Sequence, residues 1–168
     1  MQKSESILSH AYLHEIMHYS ITTGQFFWLK TTGSRAKSGS VAGTLHRDGY
    51  KSIKINGEFH LAHRLAWFYC TGKWPESEID HVSGVRCANW WLNLREATRS
   101  QNLCNTGIRS NNSSGYKGVH WNNSKKKWRA YITLNKKQKH LGFFVDVKDA
   151  YAERLKAEKE LFGDFARV

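Results

Sequence analysis

From Thr106 to Gly115 the chain reads Thr-Gly-Ile-Arg-Ser-Asn-Asn-Ser-Ser-Gly. A stretch so rich in Gly, Ser and Asn cannot contribute much to a core, and it reads as a flexible joint. It splits the 168 residues into two small modules, 1–106 and 116–168, joined by a linker at 107–115. At 168 residues the chain can hold one medium domain or two small ones, and this stretch is its best domain boundary. Charge divides at the same place. Residues 1–106 carry 12 basic and 8 acidic groups, whereas 107–168 carry 14 and 6. From Arg109 to His140 there are nine Lys or Arg and no acid. A solvated charged face mixes both signs, so this run points to a phosphate-binding surface.

The formal net charge of +12 and pI near 9.8 make polyanions the natural partners. No apolar run approaches the ~18 residues that cross a bilayer. The first twelve residues lack the pattern of a secretory signal, which leads us to expect a soluble intracellular protein. Cys70, Cys87 and Cys104 form no close pair, so neither a disulfide framework nor a Cys-x-x-Cys zinc site is suggested. His10, His14 and His18 share one face at helical spacing in a polar segment, which reads as solvent-exposed and not as a zinc centre.

In the first module, periodicity predicts a helix over 7–19, a strand at 25–28 and a strand at 50–55 followed by an Asn56-Gly57 hairpin turn. A helix over 63–69 should end at Gly72 and Pro75. In the second module, strands are expected at 117–121, 128–133 and 139–144. An amphipathic helix should follow over 147–162, capped by Asp146 and closed by Gly163. Tyr151, Leu155 and Leu161 or Phe162 would form its buried stripe. Along the middle strand, Trp128, Ala130 and Ile132 alternate with Arg129, Tyr131 and Thr133, which places the two sets on opposite faces.

Chemistry concentrates in Ile79-Asp80-His81, followed by Asn93-Leu94-Arg95-Glu96-Ala97-Thr98-Arg99-Ser100-Gln101-Asn102. Phosphodiester cleavage needs an activated water and neutralisation of charge on the phosphate and the departing oxygen. A histidine can take the water's proton. A hard divalent ion held by a carboxylate and an amide oxygen can supply the rest.

This ordered run, together with Leu61-Ala62-His63-Arg64-Leu65-Ala66-Trp67, Thr71-Gly72-Lys73-Trp74-Pro75 and Thr23-Gly24-Gln25-Phe26-Phe27-Trp28, resembles the HNH endonucleases of phage homing elements. The resemblance implies an α+β chain whose 76–106 core is a ββα-metal (His-Me finger) nuclease. Asp80 and Asn102 would hold one Mg2+ or Mn2+, His81 would be the general base, and Asn93 would pin the loop and orient His81. Asn89 would structure the loop, and Arg64 and Arg95 would face DNA phosphates. Where relatives commonly read Gly-Asp-Arg-x-Asp-Asn-Arg, this chain has Gly84-Val85-Arg86-Cys87-Ala88-Asn89-Trp90, so two acids are missing.

Ser114 to Trp121, Lys127 to Ile132 and His140 to Phe144 resemble the DNA-binding domain of plant ethylene-response factors, the APETALA family. That likeness implies a three-stranded antiparallel sheet packed on one helix, with the open sheet face in the major groove. Lys117, His120, Asn122, Tyr131, Thr133, Lys139 and His140 would face the groove, with Lys127 and Arg129 adding charge beside them. Several arginines of the plant proteins are Lys, His, Asn or Thr here, which weakens bidentate guanine reading.

The combined expectation is a monomeric, metal-dependent endonuclease acting on double-stranded DNA, phage-encoded and working in the host cytoplasm as part of a mobile element. It would have no membrane or small-molecule partner and no zinc. Two alternatives stay open: a non-catalytic DNA-binding regulator, and an RNA-binding protein that uses the basic aromatic sheet.

Overall fold

The computed structural model describes residues 8–108 and 110–166. Ile7, where the first helix was expected to begin, and Arg109 of the basic run lie outside them. The chain forms two compact units, Met1–Glu96 and Ala97–Val168.

The first unit begins with α1 (His10–Ile16), whose first turn is capped by Ser9 accepting from the Tyr12 N–H at 3.2 Å. The expected helix stops three residues early. Met17–Tyr19 (β1) turns extended and pairs antiparallel with Phe26–Trp28 (β2), in the register Met17↔Trp28. Met17 and Tyr19 are buried and His18 between them is exposed, which is a strand's period of two. His18 therefore does not share a helical face with His10 and His14. Val41–Ala42 (β3) completes this sheet.

A second sheet joins Thr44–Leu45 (β4), Lys51–Ile55 (β5) and Glu58–Leu61 (β6). Its hairpin turns through Asn56 and Gly57 at φ 50° and 89°, the left-handed pair that a two-residue turn requires. Helix α2 (Ala62–Thr71) follows without a loop and stops at Gly72, where φ is 73° and the N–H reaches the Phe68 carbonyl. Leu13, Met17, Phe26, Ile53 and Leu65 lie at the centre of the core. Glu78–His81 (β7) and Leu94–Ala97 (β8) pair as a two-stranded sheet, with a 3-10 turn at Trp91–Asn93 leading into the second strand.

The second unit opens on α3 (Arg99–Asn105). Thr98 and Gln101 form a reciprocal capping box at its start. Then come Val119–Asn122 (β9), Lys127–Leu134 (β10) and Lys137–Phe144 (β11), in antiparallel order β11-β10-β9, and α4 (Val147–Phe162). Asn135 and Lys136 make the β10–β11 turn with positive φ. Ala130 and Ile132 are buried while Thr133 is exposed, in keeping with the alternation along β10. Among the described residues no helix is long and apolar enough to cross a membrane.

The break between units falls at Glu96/Ala97, ten residues before the expected linker. The reason is α3. Its Cys104 is buried with Ile132, Ala157 and Phe162, and Lys117 Nζ donates to the carbonyls of Leu103, Cys104 and Thr106 at its C-terminal end. The stripe of α4 also differs from expectation. Its buried residues are Ala150, Arg154, Ala157, Glu158 and Phe162, while Leu161 is exposed. Arg154 reaches Glu158 at 2.6 Å, one helical turn on, and the Cys104 thiol donates to the other Glu158 oxygen at 2.6 Å. Burial first, then the Glu158 carboxylate, pushes the Cys104 thiol up to about 12. Gly118 is required here, because a Cβ on it would stand 2.6 Å from Arg154 Nε and from the Tyr131 carbonyl.

Removing one partner of a buried ion pair strands the other charge. Glu158→Ala should therefore destabilise the second unit by about 3–5 kcal/mol in urea unfolding. The apolar double replacement Arg154→Met/Glu158→Leu should cost less than either single loss.

Candidate active site

Asp80 and His81 end β7, and both are buried, at 3% and 4% exposure. Successive residues of a strand face opposite ways, so the carboxylate and the imidazole enter different surroundings. Asp80 Oδ2 accepts from Arg95 on β8, at 2.9 Å from Nε and 2.8 Å from Nη2. This is a forked guanidinium on a single oxygen, and it spends part of Arg95's donor capacity inside the protein.

His81 is held by Asn89. Its Nε2 lies 2.8 Å from Asn89 Oδ1. An amide oxygen only accepts, so Nε2 carries the hydrogen and Nδ1 is the lone-pair nitrogen of the ring. Burial, the strongest influence, lowers the His81 pKa below the usual histidine value. The Asn89 bond and the Asp80 charge oppose this, and Arg86 reinforces it. The lowering favours the neutral ring, whose unprotonated nitrogen can act as a base.

Asn89 is fixed from several directions. Its carbonyl accepts from the Tyr19 hydroxyl at 2.5 Å. The next residue but one, Trp91, donates its N–H to Ile21, and its ring lies 5.2 Å from that of Trp67. Gly24, at φ 71°, presses against the Asn89–Trp90 peptide so closely that a Cβ would sit 2.2 Å from the Asn89 carbonyl carbon. Burial raises the Tyr19 hydroxyl well above its ordinary pKa, so it stays a donor.

Asn93 serves the loop itself. Its Oδ1 accepts from the Ser83 N–H at 2.8 Å and its Nδ2 donates to the Ala88 carbonyl at 2.5 Å. Its main-chain oxygen takes the Val82 N–H, which ties β7 to β8. The structure therefore places Asn89 against the imidazole and Asn93 on the loop backbone.

Three further side chains surround His81. His63 on α2 stands edge-on to it at 5.2 Å between ring centroids, and Tyr50 lies 5.2 Å from His63 and 6.0 Å from His81. The Arg86 guanidinium sits 5.1 Å over the Tyr50 ring and donates to the Asp48 carbonyl at 2.7 Å. The sequence reading assigns no role to Tyr50 or Arg86. His63 Nδ1 is buried without a partner. Arg64 bridges from α2 to the carbonyls of Pro75 and Ser77 at 3.2 and 3.1 Å, which braces the entry to β7.

Asn102 lies on α3, across the division between the two units from Asp80. As donors, a carboxylate and an amide oxygen suit a hard divalent ion. Arg95 already occupies Asp80 Oδ2, so an ion at Asp80 would use the other oxygen or displace the guanidinium. Among the described residues no group of three His, Cys, Asp or Glu could hold a metal ion.

In the second unit, His120, Arg129, Tyr131 and His140 gather on the β9–β11 sheet. His120 meets Tyr131 edge-on at 5.4 Å, Arg129 lies 5.8 Å over the Tyr131 ring, and its Nε points to His140 Nδ1 at 3.4 Å. Burial, then Arg129, lowers the His120 pKa. Lys127, Thr133, Lys139 and His140 are exposed. Asn122 Oδ1 instead accepts from the Lys125 N–H inside the turn. Lys117, with donors directed at three carbonyls, holds the end of α3.

Comparison with known proteins puts this arrangement in context. A family model described as HNH endonuclease matches residues 60–104, the stretch that runs from β6 to α3. Protein 3.8 of Escherichia phage T7 is 32% identical over 118 residues, covering 70% of this chain and 97% of that protein. The chain belongs to the family of phage T7 Protein 3.8. It carries an HNH-type nuclease domain, and the α2 residues His63 and Arg64 fall inside the matched segment with Asp80, His81, Asn89, Asn93 and Asn102. No solved structure matches the chain.

Burial, then His81 and Arg64, pushes the pKa of His63 down to about 3 from an ordinary 6.5. Between those values the unfolded chain binds a proton that the folded chain refuses, so this contribution is complete above pH 6.5 and is lost as pH falls. The slope is up to about 1.4 kcal/mol per pH unit. Urea midpoints from pH 7 to pH 4 should fall less steeply for His63→Phe than for the natural protein.

Proposed function

We propose that this member of the T7 Protein 3.8 family is a metal-dependent HNH endonuclease of the homing type that hydrolyses phosphodiester bonds in double-stranded DNA. The observation that carries the reading is His81, a neutral imidazole with Nε2–H fixed on Asn89 and its lone pair on Nδ1. Nδ1 takes the proton of an attacking water as the new P–O bond forms. The bond to the 3′ oxygen breaks, leaving 5′-phosphate and 3′-hydroxyl ends.

Asp80, together with Asn102 by its place in the motif, would hold a divalent ion, Mg2+ or Mn2+. When bound, such an ion neutralises charge at the phosphate and the departing oxygen. Arg95 fixes the Asp80 carboxylate within the β7–β8 pair. Burial favours the neutral form of His81, and Arg86, braced on Tyr50 and Asp48, adds a smaller push in the same direction.

The C-terminal sheet, read as ethylene-response-factor-like, binds DNA through His120, Arg129, Tyr131 and His140, with Lys127 and Lys139 toward phosphate. Tethering raises the concentration of the nuclease module at its site. One observation favours a non-catalytic DNA-binding regulator instead, namely the Arg95 fork on the carboxylate that would hold the ion.

Supercoiled-plasmid cleavage with Mg2+ decides between them. The natural protein should nick or linearise the plasmid, and His81→Ala should lose at least 100-fold in rate. Equal rates would remove the base from the mechanism, and no cleavage by either protein would favour the regulator. The acid limb of the rate profile should lie below pH 6.5. Arg86→Ala, which removes a charge that lowers the His81 pKa, should move that limb to higher pH.

A further inference from the structure

Away from the nuclease site, α1 presents two imidazoles to the end of α2. His10 and His14 are one turn apart, and their Nε2 atoms lie 3.0 Å from each other. Both also face the Tyr69 carbonyl, His10 Nε2 at 2.9 Å and His14 Nε2 at 3.1 Å. Three donor atoms from two helices thus form a nearly equilateral triangle.

Hydrogen bonds alone do not satisfy this triangle. A carbonyl oxygen can only accept, and each neutral ring carries at most one hydrogen on Nε2. If both nitrogens donate to Tyr69, the two hydrogens confront each other across the 3.0 Å nitrogen–nitrogen contact. If only one nitrogen is protonated, the other ring sets its lone pair against the carbonyl oxygen at about the same distance. A cation above the triangle satisfies all three contacts together.

The dimensions also suit an ion. Donors about 2.1 Å from a metal and at right angles around it stand about 3.0 Å apart, whereas tetrahedral donors stand about 3.4 Å apart. The observed edges of 2.9, 3.0 and 3.1 Å fit the right-angled case. The ring centroids, 4.4 Å apart, fit two imidazoles directed at a common point. Tyr69 belongs to the last turn of α2, where carbonyls lack partners within the helix and the helix dipole is negative. The His14 ring stacks on Tyr69 at 3.8 Å and His10 packs edge-on to Phe68, so both imidazoles are oriented in advance.

We propose that His10, His14 and the Tyr69 carbonyl form a binding site for an imidazole-seeking divalent transition ion of octahedral or tetragonal preference, such as Ni2+ or Cu2+, with water completing the shell. Nitrogen donors separate this site from the oxygen-ligand chemistry of the nuclease centre. The ion would clip α1 to the C-terminal turn of α2.

The test is titration calorimetry of untagged, full-length, chelator-treated protein with NiCl2, alongside melting curves. The natural protein should bind one Ni2+ tightly and melt higher with Ni2+ but not with Mg2+. His10→Gln and His14→Gln should each weaken binding at least tenfold, while His18→Gln on the neighbouring strand should bind as the natural protein does. Should His10→Gln fail to fold, the exposed His14→Gln still decides. Undiminished Ni2+ binding by His14→Gln would overturn the proposal. So would a drop in melting temperature that is the same with Ni2+ and with chelator, since it would leave the pair as a helix cap only.

Discussion

The bond from His81 to Asn89 is the constraint on which the nuclease module depends. It fixes the ring's tautomer and orientation in a site where the imidazole is buried. Within the loop Asn89 donates its N–H to the Cys87 carbonyl at 3.1 Å, and partners far away in sequence hold it from outside. Its position is set by Tyr19 on β1, by Gly24 in the following turn, and by the attachment of Trp91 to Ile21. The segment from β1 to the turn before β2 is in this sense part of the support of the His81 site.

That dependence explains how the loop tolerates its unusual sequence. In the HNH pattern that the sequence resembles, acids stand where this chain has Val85 and Ala88. Here the loop is held from outside, by Arg86 on the Asp48 carbonyl and the Tyr50 ring, and from within by Asn93 binding Ser83 and Ala88. The two adjacent tryptophans of the loop differ in their surroundings. Trp91 packs on Trp67 of α2, while Trp90 is exposed.

What could be read from the sequence follows the range of the forces involved. Helix α4 begins and ends as expected, because Asp146 and Gly163 act within a turn of the termini. The alternation along β10 and the Asn56-Gly57 turn are equally local. The end of α1 was not legible, because pairing with Phe26–Trp28 overrides the helical spacing of Met17 to Tyr19. The burial of Arg154 and Glu158 was hidden for a related reason. Charged residues at these positions suggest a solvated face until Cys104 and Gly118, far away in sequence, are known to cover them. Asp80 and His81 were visible as a motif, but the partner of the imidazole was not, since neighbouring asparagines at 89 and 93 look alike until the fold assigns them different work.

The second unit raises a different question, how a small sheet can offer a basic surface and remain folded. Its answer is to separate the charges by depth. Arg154 is neutralised inside by Glu158, and Lys117 is spent on the end of α3, so neither adds to repulsion at the surface. Arg129 lies over Tyr131 beside His140, where an aromatic face stabilises a cation without an acid. A surface arranged in this way gains most from polyanions that bring their own negative charge, and its attraction for them weakens as salt rises. Between Lys117 and His140, where the sequence holds no carboxylate, Lys117 is paired with main-chain carbonyls and Arg129 with an aromatic ring, while Lys125, Lys126, Lys127, Lys136, Lys137 and Lys139 are exposed.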